Sequence, residues 1–153
     1  MTDLIVPPRL DPGSTIGVAA ISGPVDPARL EAGVAALERR GYRVVLASNI
    51  GARRGFLAGS DAERADGYRA LLRNPEVDAI FFARGGYGAS RILSRLDPEE
   101  IRSRPRIHLG GSDHTALFLF MARGRAWLPF TARWWRSAWR KRRRSTGRRC
   151  WWA

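Results

Sequence analysis

An α/β fold on a doubly wound, mostly parallel sheet is predicted by three observations. Apolar runs alternate with helical stretches in the order β-α-β-α-β-α-α-β-α across residues 1–122. The runs TIGVAAI and VDAIFFA have no polar face, as strands covered on both sides require. Polar, glycine-rich loops follow three of the strands, at the end of the sheet where ligands of such folds bind.

Each element has its own signal. Pro12-Gly13 opens the first strand, Thr15–Ile21, and Ser22-Gly23-Pro24 closes it. Asp26-Pro27 supplies an N-cap with proline at the first helical position. Leu30, Val34 and Leu37 then recur at helical spacing, and Gly41 ends the helix. Tyr42–Ala47 is the second strand. Ser60-Asp61-Ala62-Glu63 is a capping box that opens a helix to about Arg73. Asn74-Pro75 stops it before the third strand, Val77–Ala83. Arg84–Gly88 leads into a helix through Ile92 and Leu93, and Asp97-Pro98 starts another. Arg106–Leu109 is the fourth strand, and an apolar helix runs from about Asp113 to Met121. The loops at Ser22–Pro24, Arg84–Gly88 and Gly110–Asp113 should converge on one rim.

Composition narrows the function. The single cysteine, Cys150, excludes an internal disulfide and a multi-cysteine zinc site, and no cofactor is expected. No apolar stretch is long enough to span a membrane, and the N-terminus does not read as a signal peptide. A soluble, cytoplasmic protein is expected. Charge divides the chain in two. Residues 1–122 hold 16 Arg and all 14 acidic residues, whereas residues 123–153 hold 11 Arg+Lys, no acid and all six Trp.

Two motifs could carry chemistry. Gly110-Gly111-Ser112-Asp113 stands where a strand turns sharply into a helix. A serine there is lifted from the backbone beside free N–H groups that could stabilise an oxyanion. It resembles the logic of a nucleophile elbow without matching G-x-S-x-G. Equally, Ser112 could cap the helix. Arg84-Gly85-Gly86-Tyr87-Gly88 lets backbone approach a substrate, or is a tight β–α turn. It lacks the G-x-G-x-x-G spacing and a Walker lysine, which argues against a nucleotide. His114, two residues past Ser112, points away from it on a helix, which suits solvent or packing more than catalysis. His108, within a strand, reads as structural.

The ordered set IGVAAISGP (16–24), RGFLAGSDAER (54–64), RGGYG (84–88) and GGSDHTAL (110–117) resembles the LD-carboxypeptidases. These are serine peptidases of the muramoyltetrapeptide carboxypeptidase and microcin-immunity type. The resemblance covers roughly residues 4–122. It implies their flavodoxin- or Rossmann-like N-terminal domain and hydrolysis of an amide that precedes a terminal D-alanine. It also implies a Ser-His-Glu triad without metal and a murein tetrapeptide or related peptide as substrate. Ser112 becomes the nucleophile, with backbone N–H groups of Asp113, Gly85 and Gly86 as oxyanion donors. A homodimer of the family type stays open. Two departures stand out: Gly111 replaces a common aromatic residue, and the C-terminal domain that carries the family's His and Glu is missing.

The stretch from 123 onward reads as translated out of register. A GC-rich back-translation of Phe130–Arg136, read from the last base of the Phe130 codon, spells H-G-P-V-V, close to the segment expected of the family at that point. The chain alone should then be catalytically incomplete. Two other readings remain: a non-catalytic α/β module binding a peptide or sugar, and a nucleic-acid arm built on Trp139 and Arg140–Arg144. Specific nucleic-acid and membrane partners are not expected.

Overall fold

The computed structural model describes residues 6–123. Strands β1 (Thr15–Ala19), β2 (Arg43–Leu46), β3 (Ala79–Phe82) and β4 (Ile107–Leu109) form one sheet in the order β2-β1-β3-β4, every pair parallel. The helices are α1 (Pro27–Glu38), α2 (Asp61–Arg73), α3 (Ala89–Ile92), α4 (Pro98–Arg102) and α5 (Thr115–Arg123). The strand order reverses between β1 and β3, so the loops leaving those strands stand at the switch point where ligands of such folds bind. The doubly wound α/β expectation holds. The basic, tryptophan-bearing stretch, with its proposed nucleic-acid arm, lies outside the described residues from 124 onward.

The sheet is covered unequally. On one face, α2, α3, α4 and α5 pack Tyr68, Leu72, Ile92, Ile101, Leu117 and Met121 against Ile80 and Phe82. On the other, α1 lays Leu30 and Leu37 over Ile16, Val18 and Val44, yet no residue of α1 is fully buried. β1, second from one edge, is buried along its whole length, as its unbroken apolar run requires. β2 lies at the edge of the sheet and is only half covered. The helix starts follow their signals. Asp26 accepts the Arg29 N–H, Ser60 and Glu63 close a reciprocal capping box, and Asp97 accepts the Glu99 N–H.

The strands are shorter at their ends than the sequence reading, and two boundaries bear on the rim. The apolar run of β1 continues to Ile21, but ladder pairing ends at Ala19. There side chains replace the neighbouring strand: Asn49 Nδ2 donates to the carbonyls of Ala20 (2.8 Å) and Ala58 (2.9 Å), and Arg64 donates to Ile21. The final helix does not begin at Asp113, because Ser112–His114 forms a tighter 3-10 turn first. In both places the chain leaves regular structure to deliver a polar loop to the rim.

Asn49 is buried and bridges two carbonyls that no strand reaches, so its loss should leave both unsatisfied. Asn49→Ala is expected to lower unfolding stability by about 2 kcal/mol, read by urea denaturation. A loss within the ordinary scatter of surface substitutions, about 0.5 kcal/mol, would contradict this account.

Candidate active site

Three loops meet at the carboxyl ends of β1, β3 and β4, as the sequence suggested. Gly23 N–H donates to the Gly85 carbonyl at 3.1 Å, and Arg84 donates to the Pro24 carbonyl at 2.8 Å. The Asp113 carboxylate accepts from Ser22 Oγ at 2.6 Å and from the Ala89 N–H at 2.8 Å. One carboxylate thus joins the first loop, the third loop and the start of α3. Sequence reasoning valued Asp113 only for its backbone and missed this role of the side chain.

Ser112 is exposed on that rim, with φ of 57°. It is the one non-glycine residue with positive φ among the described residues. A residue bearing a Cβ is disfavoured there by about 1–2 kcal/mol, so surrounding contacts must hold it. The Ser112 hydroxyl makes no hydrogen bond among the described residues, and the side chain does not cap α5. The capping alternative is therefore not the conformation adopted. Its hydroxyl stays available because the backbone turns it outward at the strand–helix junction.

The β3 loop comes up against this serine. A Cβ added at Gly85 would lie 3.1 Å from Ser112 Cβ and 3.4 Å from Oγ, so only glycine permits this approach comfortably. The N–H groups of Gly85, Gly86 and Asp113 donate no hydrogen bond among the described residues. Gly110 is equally constrained, since a Cβ there would meet His114 Nδ1 at 2.6 Å and Phe82 Cδ2 at 2.8 Å. Gly111 is different. Nothing lies within 4 Å of a Cβ at that position, so a larger residue would fit beside Ser112.

Both histidines are committed elsewhere. His114 is buried, and its Nε2–H donates to the Arg84 carbonyl at 3.0 Å, while Nδ1 accepts the Gly111 N–H at 3.2 Å. Its ring packs on Phe82, with centroids 4.7 Å apart. His108 donates from Nδ1 to the Arg106 carbonyl and accepts from the Tyr68 hydroxyl at 2.9 Å. Burial pushes each imidazole down to about 4, so both are neutral at pH 7. The packing role expected of His114 holds, and the solvent alternative does not. Among the described residues no free base faces Ser112.

Sequence reasoning also passed over Arg64 as an individual. Its guanidinium is fully buried and donates to the carbonyls of Ile21 (2.6 Å) and Gly88 (2.7 Å), and it pairs with Asp61. It ties the end of β1 to the end of the glycine loop. The available signal was a lone arginine on the apolar side of α2, one residue past the capping box. No group of three or more potential metal ligands occurs among the described residues. No helix there is long and apolar enough to cross a membrane.

Comparison with known proteins places the chain. The profile of the LD-carboxypeptidase N-terminal domain matches residues 16–131. A putative carboxypeptidase of Streptomyces coelicolor is 42% identical over 121 residues, covering 76% of this chain and 39% of its own length. A probable murein peptide carboxypeptidase of Bacillus subtilis is 39% identical over 111 residues, covering 72% of this chain and 35% of its own length. The chain therefore spans less than two-fifths of these relatives. The microcin C7 self-immunity protein superposes with a TM-score of 0.74 at 31% identity, over 80% of this chain and 37% of its own.

Two measurements probe the site's physics. Ser112→Gly is expected to be more stable than Ser112→Ala by about 1 kcal/mol in urea unfolding, because glycine relieves the left-handed strain. Equal stabilities would mean that no strain is held there. The histidines predict a pH dependence. Their folded pKa values lie below the unfolded value, so their contribution is complete above about 6.5 and is lost as pH falls towards about 4. Unfolding free energy should fall across that window by up to about 1.4 kcal/mol per pH unit for each histidine. A flat profile from pH 7 to 5 would refute it.

Proposed function

The chain belongs to the LD-carboxypeptidase family, and from that premise we propose that Ser112 is the nucleophile of a serine carboxypeptidase site. The reaction is hydrolysis of the amide before a terminal D-alanine, on a murein tetrapeptide or a related peptide. One observation carries the reading: an exposed hydroxyl with no hydrogen-bond partner, held at φ 57° within reach of Gly85. A hydroxyl so placed can attack a carbonyl brought against the rim beside the β3 and β4 loops. The N–H groups of Asp113, Gly85 and Gly86 are proposed to receive the developing oxyanion. Charge builds on that oxygen only as the carbon becomes tetrahedral, so fixed donors there favour the transition state over the bound peptide.

Proton transfer is what the described residues do not supply. Attack requires a base to take the Ser112 proton and an acid to return one to the leaving amine. His114 and His108 are neutral, but both nitrogens of each ring are already bonded. We therefore read residues 1–122 as the serine-bearing domain of a site whose base and orienting acid lie elsewhere. By itself, the 153-residue polypeptide is proposed to be inactive. The murein peptide is favoured as substrate class by likeness to the Bacillus subtilis relative. A solved microcin self-immunity protein bound to aspartyl sulfamoyl adenosine, superposing with a TM-score of 0.73, supports an acyl sulfamoyl nucleoside as a second substrate class.

Two assays on a synthetic tetrapeptide ending in D-alanine test the reading. The 153-residue chain should release no D-alanine above background, and turnover abolished by Ser112→Ala would refute its inactivity. A chimera joining residues 1–122 to the C-terminal remainder of the Streptomyces coelicolor relative should hydrolyse the peptide. Ser112→Ala in that chimera should cost about 10⁴–10⁶ in rate. Turnover that survives the substitution would assign the chemistry to another residue.

A further inference from the structure

Beside the rim, and apart from Ser112, lies an open cleft of about 370 Å³ lined by Arg54, Leu57, Ser60, Asp61, Ala62, Arg91 and Arg95. Three arginines reach it from two stretches of the chain. Arg54 sits on a tight turn held by reciprocal backbone hydrogen bonds with Leu57 (2.8 and 3.1 Å), Arg91 lies on α3, and Arg95 lies on the 3-10 turn after it. The only carboxylate in the lining is already engaged. Asp61 accepts from Arg91 through Nε and the terminal nitrogen at 3.0–3.1 Å, and it pairs with buried Arg64 from behind. Those bonds hold its carboxyl below the ordinary aspartate range, the Arg91 hydrogen bond first, so it remains ionised and fully occupied. Glu63 lies outside the lining, where it closes the capping box and offsets part of the Arg54 charge.

The guanidinium groups of Arg54 and Arg95 form no hydrogen bond or ion pair within 4 Å among the described residues. Two exposed cations and the outward face of a third therefore surround a cleft whose sole anion is spent. Like charges gathered this way repel one another, and an anion between them removes that cost. Guanidinium groups also present paired N–H donors that match the oxygens of a carboxylate or phosphate. We propose that this cleft is a binding site for an oxyanion, a carboxylate or phosphate group held by Arg54, Arg91 and Arg95. It does not depend on Ser112 being a nucleophile. Tyr87 lies close enough to Arg91 to bear on its charge, and it follows the Gly85–Gly86 turn directly, so a bound anion would border the catalytic rim.

Isothermal titration of the 153-residue chain with inorganic phosphate, and separately with N-acetyl-D-glutamate, tests the site. The comparison is the double variant Arg54→Gln and Arg95→Gln, whose fold should be unchanged because neither guanidinium bonds to it. Saturable binding weakened at least tenfold in the double variant is expected, with an unchanged melting temperature when no anion is present. The ranking of the two probes then distinguishes a phosphate-bearing ligand from an acidic peptide group. The basic stretch after residue 123 is common to both proteins, so equal affinities would place the anion there and overturn the proposal. Absence of saturable binding to either probe would overturn it too.

Discussion

The buried guanidinium of Arg64 is the constraint on which the rim depends. A charge taken wholly out of water needs acceptors, and the terminal nitrogens of this one find two backbone carbonyls and the Asp61 carboxylate, while Nε has no partner among the described residues. Those carbonyls, Ile21 and Gly88, belong to the two loops that flank the strand-order reversal. Neither could pair within the sheet, because ladder hydrogen bonding ends at Ala19 and Phe82. Arg64 thereby supplies a donor to the Ile21 carbonyl and a second donor to that of Gly88, which also takes the Arg91 N–H. It fixes the separation of the loops and, through Gly88, the start of α3.

A second tie, made by Asp113, depends on the first. Its carboxylate can reach both Ser22 Oγ and the Ala89 N–H only when β1 and α3 are already held together. Asp113 follows Ser112 directly, so fixing the aspartate also fixes the serine in its left-handed backbone. His114 completes the arrangement from below by bonding the Arg84 carbonyl and the Gly111 N–H. A protonated ring could not accept that N–H. The low pKa of His114 thus preserves the geometry of the turn, and the histidine nearest the serine in sequence acts as a strut.

Much of the fold was legible in the chain. Unbroken apolar runs gave the parallel strands, and Asp26-Pro27, Ser60–Glu63 and Asp97-Pro98 gave three helix starts, because caps are local hydrogen bonds between near neighbours. The convergence of the three loops followed from strand direction alone. Strand ends and the last helix start were less legible. Where pairing stops depends on side chains far away in sequence, Asn49 and Arg64 for β1, and no local pattern reports them.

The same division runs through the site. Sequence by itself determined which residues could meet, since a glycine-rich turn and a serine at successive strand ends lie at the same end of any parallel sheet. It also determined the family, through four motifs in order, and the neutral helix-cap alternative for Ser112 was open on local grounds. Only the tertiary structure decided between cap and free hydroxyl. That choice turns on a backbone angle enforced by Asp113 and His114 through contacts with Ser22, Ala89 and Arg84. Contacts between residues 24 to 91 positions apart leave no periodicity in the chain, so the orientation of one serine could be seen only once the loops were in place.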